Sequence, residues 1–95
     1  MPPFEEGPWP FADPPLRAVL AAEEIMEHRA PILYVARDEI GMWRFQNSAT
    51  FPVRSLKVTT LRDIVNIDTT VISLANLPPR SCAIRESSRA EWVRS

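Results

Sequence analysis

Pro31-Ile32-Leu33-Tyr34-Val35-Ala36-Arg37-Asp38-Glu39-Ile40-Gly41-Met42-Trp43-Arg44-Phe45 is the stretch from which the fold follows. Pro31 has no backbone donor and stops whatever helix precedes it. Ile32 to Ala36 is rich in β-branched and aromatic residues, which predicts a strand, and the unbroken apolar run places that strand centrally in a sheet. Asp38-Glu39-Ile40-Gly41 supplies turn chemistry, with Gly41 able to take a positive φ. Met42 to Phe45 alternates as a half-buried return strand does, with Trp43 and Phe45 on one side, so the stretch reads as a β-hairpin.

Working back from the hairpin, Leu16 to Leu20 is apolar and extended, and Ala21 to Glu27 combines strong helix formers with Ile25 and Met26 on one side. A short strand followed by a short helix is expected there. Six of the ten prolines fall between Pro2 and Pro15, each fixing φ and removing a donor, so residues 1–15 form an extended arm ahead of a single domain at 16–95. The arm carries Phe4, Trp9 and Phe11, more aromatic surface than a solvated tail usually has, and is expected to pack over the domain. None of its prolines have the P-x-x-P spacing of a docking peptide.

Forward of the hairpin, residues Gln46 to Pro52 are polar and irregular, and Ser55 to Val58 reads as a third strand leading into Thr59 and Thr60. Thr60-Leu61-Arg62-Asp63 places a hydroxyl cap three residues before a carboxylate, an Asp variant of the capping box, so a helix starts near Thr60. Asp68 is placed to cap a further helical turn containing Val71, Ile72, Leu74 and Ala75, and Pro78-Pro79 bounds it. Cys82 to Arg85, a Ser87-Ser88 turn and Glu91 to Arg94 form a closing hairpin. The expected fold is α+β: a small, mainly antiparallel sheet of four or five strands, with two or three short helices on one face.

Composition narrows the function. With 11 basic and 12 acidic side chains the net charge is -1, so no global field draws in nucleic acid or anionic lipid. Only Lys57 among the basic residues is a lysine, an arginine bias that fits a GC-rich, bacterial coding genome. No apolar run approaches the roughly 20 residues of a membrane span. The first residues have neither the cationic nor the apolar region of a secretory signal, and the cytoplasm is the expected compartment.

Gly7 and Gly41 are the only glycines, which excludes the P-loop and the dinucleotide fingerprint. One Cys and one His cannot supply a structural zinc site. Cys82 and His28 would make a nucleophile and base only if the fold brought them together, with Glu24 to orient the imidazole; the ordinary reading is a core-facing Cys82 and a helix-end His28. Glu23, Glu24 and Glu27 suit a helix start facing solvent. Arg80, Arg85, Arg89 and Arg94 with Trp92 could track phosphate and stack a base, but Glu86 and Glu91 interrupt them, as cross-strand ion pairs would. The chain therefore reads as non-enzymatic, with no cofactor, metal or small-molecule substrate indicated.

Taken in order, several blocks resemble a known group: Pro10-Phe11-Ala12-Asp13-Pro14-Pro15; Ile32 to Asp38 followed by Gly41-x-Trp43-x-Phe45; Leu61 to Asp68; Leu74-Ala75-Asn76-Leu77-Pro78; and Ala83-x-Arg85 to Trp92-x-Arg94. The chain resembles small bacterial proteins of the immunity-protein-thirty-three-like group, and departs from their pattern at Arg37, Ile40, Arg44 and Pro79-Arg80. The resemblance implies a cytoplasmic protein that neutralises a toxin by stoichiometric binding. Asp38 and Glu39, with Trp43 beside them, are the expected partner contacts, since exposed acids near an aromatic anchor suit a basic surface. The alternative is a self-associating structural or regulatory module, using a sheet edge offered by the hairpin.

Overall fold

A computed structural model describes residues 9–48 and 56–95. The elements run β1 (Ala18–Ala22), α1 (Glu23–Met26), β2 (Tyr34–Arg37), β3 (Trp43–Gln46), β4 (Leu56–Thr60), α2 (Leu61–Ile67), a 3₁₀ helix (Thr69–Leu74), β5 (Cys82–Ile84) and β6 (Val93–Arg94). The six strands form one sheet in the order β4-β1-β3-β2-β5-β6. All neighbours are antiparallel except β1 and β3, which run parallel with Leu20 beside Arg44. The α+β expectation holds, with six strands where four or five were expected, and β6 pairs with β5 as expected of the closing hairpin.

The hairpin is central. β2 lies between β3 and β5, and β3 between β1 and β2, so the free edges among the described residues belong to β4 and β6. This corrects the expectation of a self-association edge on the hairpin: both of its strands are already paired on both sides. The strand segment at Ser55 and the irregular stretch from residue 49 to 52 lie outside the described residues, as do residues 1–8 of the arm.

Strand periodicity sorts the side chains into two faces. Val19, Ala21, Val35, Trp43, Phe45 and Ala83 point to one side and are buried against Ile25, Leu61, Ile64, Val65, Val71 and Leu74 from the helices. Each fully buried side chain of this size contributes roughly 1.5–3 kcal/mol. The described part of the arm closes the end of this core: Phe11 meets Trp43 edge to face at 5.5 Å, and Trp43 stacks on Phe45 at 5.9 Å.

Helix ends follow the local chemistry. Thr60 caps α2, its Oγ1 accepting from Asp63 N–H at 3.2 Å, while the Asp63 carboxylate accepts from Thr59 Oγ1 at 2.9 Å. α1 ends in a Schellman arrangement: His28 N–H donates to the Ile25 carbonyl at 3.0 Å and Arg29 N–H to the Glu24 carbonyl at 2.8 Å. His28 occupies the left-handed position at φ 60, where glycine is usual.

Candidate partner-binding face

The helices contribute their buried side chains to the side of the sheet that carries Val19, Val35 and Phe45; on the other side Ala22, Ala36 and Gln46 are buried, whereas Val58, Arg44, Ile84 and Val93 are open to solvent. An antiparallel sheet with one solvated face normally shows polar residues there. Here the register places Val58, Leu20, Arg44, Ala36 and Cys82 side by side across the uncovered face. A second row runs from Leu56 and Ala22 across Gln46 to Tyr34, Ile84 and Val93. Val58 is 73% exposed and Val93 63%, with Leu56 and Ile84 also open to solvent. Four of the six exposed large hydrophobic side chains of the described chain therefore share this face.

At the centre of the face is a concavity of about 260 Å³. Its floor includes Leu20, Tyr34, Ala36 and Cys82, and its rim Arg44, Arg80 and Asp38. Arg44 is exposed, and none of the ion pairs among the described residues involves it. Arg80 holds a left-handed backbone at φ 64, fixed because its N–H donates to the carbonyls of Arg37 at 3.0 Å and Asp38 at 3.2 Å.

The three residues expected to contact a partner separate. Asp38 and Glu39 are exposed at the hairpin tip. The Asp38 carboxylate organises the turn, its Oδ1 accepting from Ile40 N–H at 3.0 Å and Met42 N–H at 2.9 Å. Glu39 stands 3.7 Å from the Arg80 guanidinium, both side chains being more than 70% exposed, an arrangement worth little in water. Trp43 is 2% exposed and belongs to the core, so it cannot act as a surface anchor. It holds the hairpin from beneath: the Arg37 guanidinium lies 4.7 Å over its ring and donates from Nε to the Gly41 carbonyl at 3.1 Å and from Nη1 to the Leu77 carbonyl at 2.7 Å.

The basic tail is also divided. Arg85 is 5% exposed and is anchored inside the fold. Its Nε and Nη2 donate to the Ile32 carbonyl at 3.1 and 2.9 Å, Nη1 to Thr70 Oγ1 at 2.8 Å, and Nη2 to Asp68 Oδ2 at 2.8 Å. Trp92 covers this guanidinium at 4.1 Å, and Arg94 donates to the Ser73 carbonyl and Asn76 Oδ1 on the helix side. These groups join the hairpin to the helices. Cys82 and His28 line separate concavities, Cys82 on the open face and His28 beside Arg29, Asp68 and Ser88.

Comparison of the chain with protein-family models, with curated proteins and with solved structures finds no match. The reading of this face therefore rests on its own geometry.

Proposed function

We propose that this chain is a non-catalytic protein-binding domain that holds its partner on the uncovered face of the sheet. The observation that carries this is the side-chain parity: strands β1, β2, β4, β5 and β6 all place apolar residues on the side that no helix covers. Apolar patches of this kind, one on β4 and β1 and one on β2, β5 and β6 with Arg44 and Gln46 of β3 between them, mark an interaction surface more often than a solvated one. The shallow concavity and the exposed rim charges give it an apolar centre and a polar border, the usual anatomy of a protein interface.

The immunity-type role is the specific form of this reading that the sequence resemblance supports, with the chain occluding a bacterial toxin in a stoichiometric complex. In that form Asp38 on the rim of the concavity and Glu39 at the exposed hairpin tip are the polar contacts, and Trp43 supports the hairpin from the core. The second reading, a self-associating module, is favoured by the β4 edge, which no described strand pairs and where Leu56 and Val58 are exposed.

The test is reconstitution of any protein captured from the native cells with three forms of the chain: wild type, the open-face double variant Val58→Asp with Val93→Asp, and Arg62→Glu on α2. A one-to-one complex that survives Arg62→Glu and is lost in the double variant supports the reading, and protection of growth against that protein supports the immunity role. A complex that survives the double variant sinks it. Sedimentation showing a dimer that Val58→Asp dissolves moves the assignment to self-association.

A further inference from the structure

We infer that the occupant of the open face is an acidic protein segment, one that presents carboxylates between apolar side chains; this rests on the reading that the face holds a partner. The register sets Arg44 beside Leu20 on β1 and Ala36 on β2, so its guanidinium rises from an apolar surrounding near the middle of the sheet. It has no carboxylate partner among the described residues. A purely apolar partner closing over this position would strand a desolvated cation, which is strongly unfavourable unless the partner supplies an acceptor. A carboxylate meets the fork of the guanidinium with two parallel hydrogen bonds.

The rim adds to the same charge. Of the charged residues lining the concavity, Arg37 turns its guanidinium to Trp43 on the other side of the sheet, which leaves Arg44 and Arg80 against one carboxylate, Asp38. Oδ1 of that carboxylate is already committed to two backbone N–H groups of its own turn. Arg80 is held only loosely by Glu39, at 3.7 Å in solvent, and can exchange that carboxylate for another.

Other occupants fit less well. A second copy seated face to face about a two-fold axis would bring one Arg44 towards the other without a carboxylate between them. A nucleic acid would bury Val58, Ile84 and Val93 against phosphates with no gain. Among the described residues the face offers a base only the half-buried Tyr34 for stacking.

The experiment uses the full chain and three probes: an acetylated hexapeptide alternating leucine and glutamate, its leucine–lysine counterpart, and a short single-stranded RNA. Binding is read by fluorescence anisotropy and by the rate of alkylation of Cys82, the only cysteine, which lies in the concavity. The glutamate peptide is expected to bind, to slow Cys82 alkylation severalfold, and to lose affinity by roughly tenfold or more in Arg44→Glu, while the lysine peptide gains affinity for that variant. Arg62→Glu, distant on α2, is expected to change neither reading.

Equal affinity of wild type and Arg44→Glu for the glutamate peptide, or preference of the wild type for the lysine peptide, overturns the inference. RNA binding that Arg44→Glu abolishes, with no peptide binding, reassigns the face to nucleic acid and overturns it too. The two levels separate through Val58→Asp. If that variant loses the captured partner while the probes show no charge preference, the face reading stands and the acidic occupant falls. If it changes nothing, the face reading itself has failed.

Discussion

Arg85 on the strand side and Asp68 at the start of the 3₁₀ helix, separated by 17 residues, meet at 2.8 Å in the interior of the fold. The Asp68 carboxylate is shared, because its Oδ1 also accepts from Thr70 N–H at 2.9 Å and Thr70 Oγ1 at 2.6 Å. One cap thus sets the helical turn, and one guanidinium ties that turn to the Ile32 carbonyl at the start of the central hairpin.

Removing Arg85 leaves Asp68 without its cation, strips the Ile32 carbonyl of its side-chain donors and empties the space under Trp92. Arg85→Ala is expected to lower stability by about 3–5 kcal/mol, the usual cost of breaking a buried pair. Arg85→Lys should recover little of it, since one ammonium cannot reach three acceptors in the geometry of the fork. Denaturant unfolding by circular dichroism measures both, and a loss below about 1 kcal/mol for the alanine variant would show that the cluster is not structural.

Gly41 sits at φ 88, and a Cβ built there would lie 2.8 Å from Arg37 Nη2. The left-handed backbone and the displaced guanidinium both penalise a side chain. Gly41→Ala is expected to cost about 1–2 kcal/mol. A thermal melt unchanged from wild type would contradict the turn geometry.

His28 occupies the position after α1 where glycine carries no steric penalty. Both backbone bonds of the Schellman arrangement are made without its side chain. His28→Gly is expected to raise stability by about 0.5–1 kcal/mol, the strain relief exceeding the added freedom of the unfolded chain. Destabilisation would show that the imidazole makes a contribution its backbone position does not reveal.

Trp43 is buried with no hydrogen-bond partner for Nε1, so it acts by packing and by the ring face on which the Arg37 guanidinium rests. Trp43→Phe is expected to reduce stability by about 1–3 kcal/mol through lost volume. Partner affinity should not change. A large loss of affinity at unchanged stability would return Trp43 to the interface.

The hairpin, the Thr60 cap, the Asp68 cap and the closing pair of strands were legible because each is written in adjacent residues: a turn glycine, a hydroxyl before an apolar stripe, a carboxylate before a helical turn. The parallel pairing of β1 with β3 was not, since it joins segments separated by a helix and a strand, and nothing local selects that neighbour. Arg85 looked like part of a basic tail because arginine is seldom buried. Its alternation with Ala83 was the available signal, for Ala83 faces the core and Arg85 shares its parity. Trp43 and Phe45 were correctly placed on one side of their strand, but only the helices decide which side is the core. The apolar residues opposite the helices were foreshadowed in the unbroken run Ile32 to Ala36, which leaves Tyr34 half-buried and Ala36 buried on the side away from Val35.

The most direct measurement of the central claim places the photo-crosslinking residue p-benzoylphenylalanine at position 84 on the open face, where Ile84 is exposed, or at position 62 on α2, in the full chain expressed in its native cells. Irradiation is expected to join the chain through position 84 to a different polypeptide, and not through position 62. Products from position 62 alone would contradict the account by moving the partner to the helices, as would a product from position 84 with twice the mass of the chain, by making the partner a second copy.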